Sequence, residues 1–379
     1  MGLRFRDIAV ILLVAAFLLP ALGYAAGALR GTDGVSASER RALAALPEFD
    51  GSLRAYTAAF DDHLEDNFGF RMWFIRTARN LRDNLGEDPP QVVFGKKGWL
   101  FLGNEGYRDE FEGQGLWNDA RVEAWIASLK QANAALTVRG IPFAAYVGVD
   151  KARIYSEYLP DDWTPSGRRF RSRLHAHAGA NDAGLIDAER YVLQAKDAGV
   201  KTFYQRDTHW TPDGTHALAM AVLDRLDPEG TRPRFDPAPP RLKTAPRLLD
   251  LEGMAGFTQT QEPAHPMIDI PAAHDGFHII EASEDPASPR RGQFATWRIK
   301  GTRDAPEGTL VVVGDSFGDA VIEHLRPSYA RIVRLHHGAH LFDVSLADVL
   351  AERPDAVLFA TAERQAFQKE RPFATMAAP

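Results

Sequence analysis

The run Leu310–Val313 is apolar, mostly β-branched and free of polar interruption, the pattern of a strand buried on both faces of a sheet. Ile141–Val149, Arg331–Leu335 and Asp355–Thr361 read as further strands. Around them the apolar positions change to helical spacing. Val122, Trp125, Ile126, Leu129 and Leu136 line one face of a helix over Asn118–Leu136, with Asn118 or Asp119 as its cap and Gly140 as its stop. A basic helix is predicted over Ser166–Ala176, and a brief strand over Gly184–Asp187 ahead of a helix reaching Ala198. Thr211 caps a helix that starts at Pro212 and buries Leu218, Val222 and Leu226. Asp319–Leu325 and Ser345–Glu352 add two more helices. This alternation predicts an α/β fold on a doubly wound parallel sheet flanked by helices.

Other patterns frame that domain. Ile8–Leu29 is uncharged and long enough to span a bilayer, with Arg4 and Arg6 before it. Residues 1–30 are therefore expected to be a membrane anchor or a secretory signal, with the bulk of the chain exported. Residues 31–88 follow as a stalk and two lead-in helices, marked by Tyr56, Phe60, Leu64 and Phe68 and then by Met72, Phe74 and Ile75. Pro89–Gly103 carries two apolar runs about a Gly-Lys-Lys-Gly turn, a hairpin signal that opens a domain over 89–370. Within it, residues 227–306 are Pro-rich and are predicted to form an irregular insertion with small hairpins.

Composition alters this picture little. The chain has 379 residues, of which 45% are hydrophobic and 25% charged, an ordinary globular balance. A net charge of −7 without a basic block argues against a nucleic-acid partner. There is no cysteine, which excludes disulfides and thiolate metal sites. His336, His337 and His340 cluster without metal-ligand spacing, so no metal and no cofactor is expected.

The chemistry concentrates at two places. Ser316 falls at a turn between the buried strand ending at Gly314 and the helix from Asp319, where a hydroxyl faces the crevice and nearby amides can stabilise an oxyanion. About a hundred residues upstream, Asp207 and His209 lie two apart, just before the Pro212 helix. In an irregular stretch that separation lets Asp207 accept a hydrogen bond from Nδ1–H of His209 and leaves Nε2 for Ser316. A plain turn at Ser316 and a solvated loop at Asp207 and His209 are the alternatives. Lys151 and Tyr155, just past the strand Ile141–Val149, and Arg364, past the last strand, are candidate substrate-binding residues. His216, on the Pro212 helix, reads as structural.

In order along the chain stand SERRALAALP, GKKGWLF, DKARIYSEYLP, DTHW, DLEGM, GDSF and PDAVLFATAER. Together they resemble the alginate O-acetyltransferase group of AlgJ and AlgX, from about Glu39 to Arg364. The resemblance implies an SGNH-hydrolase-like domain with Ser316 as nucleophile, His209 as base and Asp207 as its orienting carboxylate. It further implies acetylation of an exported polysaccharide in the periplasm at the inner membrane, with acetyl groups delivered by a membrane-bound O-acyltransferase. Few residues remain after Arg364, so the AlgJ branch is the nearer comparison. A carbohydrate acetyl esterase with the same triad, and a non-catalytic polysaccharide-binding scaffold, remain as alternatives.

Overall fold

The computed structural model describes residues 35–36, 41–42, 46–49, 56–57, 59–60, 63, 91–103, 106–115, 117–235, 238–243, 248–257, 259–269, 279–283, 296–336, 344–368 and 372–373. The chain divides into two units, residues 1–89 with 253–256 and residues 90–252 with 257–379. In the first, Val35–Ser36 pairs antiparallel with Arg41–Ala42. Residues 56, 57, 59, 60 and 63 are helical. Tyr56 and Phe60, one turn apart, stack with ring centroids 5.9 Å from each other. The apolar stretch Ile8–Leu29 and the remainder of the expected lead-in helices lie outside the described residues. Among the described residues no helix is long and apolar enough to cross a membrane.

The second unit opens with the predicted hairpin, β1 (Val92–Phe94) against β2 (Leu100–Leu102). After the short α1 (Tyr107–Phe111) comes α2 (Asp119–Thr137), whose N-cap Asn118 accepts a hydrogen bond from the Arg121 amide at 3.0 Å. β3 (Phe143–Gly148) follows, then α3 (Lys151–Ile154), α4 (Phe170–Ala176), α5 (Ala188–Asp197) and α6 (Pro212–Leu226). Thr211 caps α6 by accepting from the Gly214 amide at 3.1 Å. The basic helix starts later than expected, because Arg169 is extended. The brief strand at Gly184–Asp187 reduces to one parallel bridge, Leu185 to Ala145. β4 (Ala238–Lys243), α7 (Asp250–Met254), β5 (His265–Asp269), β6 (Ile279–Ser283) and β7 (Thr296–Lys300) fall in the insertion. β8 (Thr309–Gly314), α8 (Asp319–Leu325), β9 (Arg331–His336), α9 (Leu346–Ala351), β10 (Ala356–Ala362) and α10 (Glu363–Ala366) complete the unit.

Six strands form the main sheet in the order β3-β10-β8-β9-β7-β6. The first four are parallel, as the alternation predicts, but β7 joins β9 antiparallel and β6 joins β7 antiparallel. The sheet is thus mixed, a correction to the all-parallel expectation. The reason lies in the insertion: Thr296, Trp297 and Arg298 of β7 are only half-buried. A half-buried strand suits an antiparallel edge, whereas β8 and β10 are sealed on both faces.

One face of the sheet packs Val311, Val313, Val333, Val357 and Phe359 with Trp125, Ile126 and Leu129 of α2 and Val349 of α9. α6 packs against β3 and β10 and against α8. The chain leaves β8 for β9 on one side and later returns to β10 on the other. The carboxyl end of β8 is therefore the point where strand order reverses, which opens a crevice in sheets of this type.

At that end the backbones of β8 and β10 approach closely. A Cβ on Gly314 would lie 2.2 Å from the Ala360 carbonyl oxygen. Gly314→Ala should lower stability by about 1–3 kcal/mol, read from urea or thermal unfolding, because the obstruction is backbone and cannot rotate away.

Candidate active site

Ser316 lies just beyond β8 in a turn that Asp315 holds shut. Asp315 Oδ1 accepts from the Phe317 amide at 2.9 Å, and Oδ2 accepts from Thr361 Oγ1 at 2.9 Å and the Ala362 amide at 2.8 Å. The turn is thereby pinned to β10. The Tyr146 hydroxyl of β3 donates to the Phe317 carbonyl at 2.9 Å. Among the described residues no protein acceptor takes the Ser316 amide, and it remains available to an oxyanion.

The Asp-Thr-His-Trp loop approaches from the amino end of α6. Trp210, almost fully buried, packs on Phe317 with ring centroids 4.8 Å apart, and Phe317 also lies 5.8 Å from the His209 ring. Both large rings fit because residue 148 has no side chain: a Cβ there would meet Phe317 Cδ1 at 2.5 Å. This packing brings the two distant segments into register. His209 Nε2 is 2.8 Å from Ser316 Oγ, and His209 Nδ1 is 2.6 Å from Asp207 Oδ1. Asp207 Oδ1 also accepts from the His209 amide at 3.0 Å.

A second carboxylate, absent from the sequence expectation, stands behind the ring. Asp250 Oδ2 lies 3.4 Å from His209 Nδ1. Burial of the imidazole opposes its charged form, but Asp207 and Asp250 outweigh it and raise the His209 pKa to about 9. Asp250 belongs to the DLEGM segment, whose order along the chain contributed to the resemblance; no spacing rule linked its carboxylate to His209.

The three candidate substrate-binding residues are placed differently. Lys151 is buried, and its ammonium donates to the carbonyls of Tyr204, Gln205 and Asp207 at 3.3, 3.2 and 2.7 Å. Burial lowers its pKa to about 7, against the pull of Asp250, Asp207 and Glu262. Tyr155 is buried against Trp99, and its hydroxyl accepts from the Thr202 amide at 3.0 Å. Both are buried: Lys151 holds the Asp207–His209 loop at the Asp207 carbonyl, and Tyr155 holds the segment before it at Thr202. Arg364 lies at the edge: its guanidinium is 5.0 Å from the Phe317 ring centroid and 3.6 Å from Asp150 Oδ1. Burial and the neighbouring Glu363 raise the Asp150 pKa to about 8, with Arg364 and Arg169 pulling the other way. His216 rests against Phe235 and His324, away from these contacts. His336 ends β9 and is buried, while His337 and His340 lie outside the described residues.

Asp207, His209 and Asp250 offer ligand-type atoms within 4.8 Å of one another, a spacing a cation accepts. Their oxygens are engaged by protein donors. Asp207 Oδ2 takes the Asp250 amide at 3.1 Å, and Asp250 Oδ1 takes the Thr208 and Leu251 amides at 2.7 and 2.6 Å. The arrangement suits general-base activation of a serine hydroxyl.

Asp315→Asn turns an amide NH₂ toward the donors that one carboxylate oxygen now accepts. A loss of about 1–3 kcal/mol is expected in urea unfolding, with lower protection of the Ala362 amide in hydrogen exchange.

The family profile described as "SGNH hydrolase-like domain, acetyltransferase AlgX" matches residues 92–323. The probable alginate O-acetylase AlgJ of Pseudomonas aeruginosa is 31% identical over 222 residues, covering 55% of this chain and 50% of that protein. Its counterpart from Pseudomonas fluorescens is 28% identical over 190 residues, covering 48% and 46%. The chain thus spans about half the length of the curated relatives it matches. Among solved structures, the O-acetyltransferase domain of Pseudomonas putida AlgJ aligns with a TM-score of 0.43 at 20% identity, over 74% of this chain and 94% of that one. A DHHW family protein from Eubacterium siraeum aligns with a TM-score of 0.46 at 16% identity, over 74% and 96%. The profile match takes in most of the α/β domain, from the β1 strand through the Asp-Thr-His-Trp and Gly-Asp-Ser-Phe segments into α8, and by it this chain belongs to the AlgX family of SGNH hydrolase-like domains.

Proposed function

We propose that the chain is a polysaccharide O-acetyltransferase that passes an acetyl group through Ser316 to a sugar hydroxyl. The observation that carries this reading is the unbroken line Asp207–His209–Ser316, at 2.6 and 2.8 Å, drawn from segments a hundred residues apart. His209 Nε2 takes the proton of Ser316 Oγ as that oxygen attacks the donor carbonyl, and the Ser316 amide faces the oxyanion. The imidazolium then returns its proton to the departing group, leaving acetyl-serine. A sugar hydroxyl attacks next, loses its proton to the same imidazole, and regenerates the Ser316 hydroxyl. Every step uses the side chains of Ser316 and His209 and the Ser316 backbone amide, so the proposal calls on no metal or soluble cofactor.

The family and the amino-terminal sequence pattern support a proposed setting. The acceptor would be an exported, alginate-like polysaccharide. The acetyl donor would be supplied by a membrane-bound O-acyltransferase, and the domain would work in the periplasm, tethered to the inner membrane through Ile8–Leu29.

Incubation with a chromogenic acetyl ester, with and without an oligosaccharide, tests the reaction, with the sugars weighed by mass spectrometry. Acetylated sugar and an acetyl adduct on the Ser316 peptide are expected. Acetate release that ignores the sugar, with no acetylated product, would make the protein an esterase. Ser316→Ala should reduce turnover by about 10⁴-fold or more; unchanged acetylation in cells carrying that variant would point to a scaffold.

The pH dependence has a definite sign. A general base must be unprotonated, and the carboxylates hold the His209 proton up to about 9. The value of kcat/KM should therefore rise from neutral pH and level off above about 9, instead of levelling near an unperturbed histidine pKa of about 6.5. Stopped-flow measurement of ester cleavage across this range checks it.

A further inference from the structure

The insertion between α6 and β8 brings acidic residues to the loop that carries Asp207 and His209, and one of them, through its side chain and its backbone amide together, reaches all three residues of Asp207–His209. Asp250 opens α7, and its side chain is 1% exposed. Its Oδ1 accepts from the Thr208 amide at 2.7 Å, and its Oδ2 accepts from the Thr208 hydroxyl. Its own amide donates to Asp207 Oδ2 at 3.1 Å, which frees Asp207 Oδ1 for the His209 amide and ring. Its Oδ2 stands 3.4 Å from His209 Nδ1.

We infer that Asp250 is a positioning residue for the acetyl transfer proposed above: it locks the Asp207–Thr208–His209 loop and backs the imidazole with a second carboxylate, so that Nε2 stays aimed at Ser316. The inference rests on that reading of the reaction. A lone aspartate at 207 would orient the ring through one oxygen while its other oxygen sought a partner. Here the amide of Asp250 occupies that oxygen, and a rotation of the Asp207 carboxyl would break three hydrogen bonds at once. The remainder of the loop is held by groups that do not touch the ring. Glu262 accepts from the Gln205 and Arg206 amides at 2.9 and 2.8 Å and from Lys201 Nζ. Lys151 donates to the carbonyls of Tyr204, Gln205 and Asp207. With the backbone fixed elsewhere, the distinctive effect of Asp250 falls on His209.

That effect is electrostatic as well as geometric. The charged or titratable groups facing His209 are Asp207 on its own loop, Asp250 on α7 and Asp319 at the start of α8, beside the Ser316 hydroxyl in the turn after β8. Lys151 on α3 acts on both of the first two carboxylates, and Arg364 lies across the Phe317 ring. Two anions against one ring nitrogen favour the imidazolium that forms when Ser316 gives up its proton. The same pair keeps the imidazole protonated at neutral pH, the proton coming from solvent. Asp250 thus strengthens the base and moves its working range upward in pH.

Uniform ¹⁵N-histidine labelling lets the His209 ring be titrated by NMR without substrate, beside the pH profile of kcat/KM for ester cleavage. In Asp250→Asn the His209 titration should fall by at least about one pH unit, and the rate profile should shift down with it. The plateau of kcat/KM should drop about tenfold as the ring loses its second hold. Asp207→Asn should lower the plateau further. If Asp250→Asn does not fold, Asp250→Ser, which can still cap the Thr208 amide, carries the same expectation. An unmoved His209 titration in either folded variant overturns the role of Asp250, whatever the turnover. A moved titration in a protein whose wild type cleaves no acyl ester overturns the reaction and leaves the hold of Asp250 on the ring intact.

Discussion

The packing of Trp210 on Phe317 is the contact on which this site depends. Each ring is the immediate neighbour of a residue in the Asp207–His209–Ser316 line, Trp210 of His209 and Phe317 of Ser316. Their contact at 4.8 Å therefore fixes the separation of imidazole and hydroxyl. Gly148 makes the space, Tyr146 holds the Phe317 carbonyl, and the close approach of β8 to β10 at Gly314 sets the height of the turn. Buried aromatic surface is non-directional as a driving force but rigid once packed, which lets it hold two loops at hydrogen-bonding distance.

Around that apolar hinge the polar groups divide into two tasks. Asp315 closes the serine turn, while Asp250, Glu262 and Lys151 close the histidine loop. Each of these charges is deeply buried and satisfied by N–H groups or carbonyls of the backbone, which is the condition under which burial of charge is tolerated. Lys151 and Tyr155, which stand just past β3, are both buried, Lys151 against the carbonyls of the histidine loop and Tyr155 against Thr202 ahead of it. Arg364 borders the crevice on the other side, with Asp150 behind it and the Arg169–Glu363 ion pair deeper still.

The sheet explains why support and chemistry meet where they do. Its four parallel strands place Asp150, Ser316 and Arg364 at neighbouring carboxyl ends, with the reversal of strand order at β8. The insertion serves both sides of this arrangement. Its later strands extend the sheet antiparallel beyond β9, and its middle, around Asp250 and Glu262, turns back over the histidine loop. A stretch that reads as irregular along the chain is thereby tied to the site at several points.

The parallel core was legible along the chain because sealed strands carry continuous apolar runs and amphipathic helices carry a 3.6-residue period, both local properties of Leu310–Val313, Asn118–Leu136 and Pro212–Leu226. Ser316, Asp207 and His209 could be singled out because their turn and spacing are local too. The antiparallel edge was hidden, since Thr296–Lys300 is a short mixed run whose partner is chosen only when β9 presents a free edge. The burial of Lys151 and the reach of Asp250 to His209 were likewise decided by tertiary structure alone. Each depends on a distance across the fold, and no periodicity along a chain encodes which carboxylate will lie 3.4 Å from a given ring.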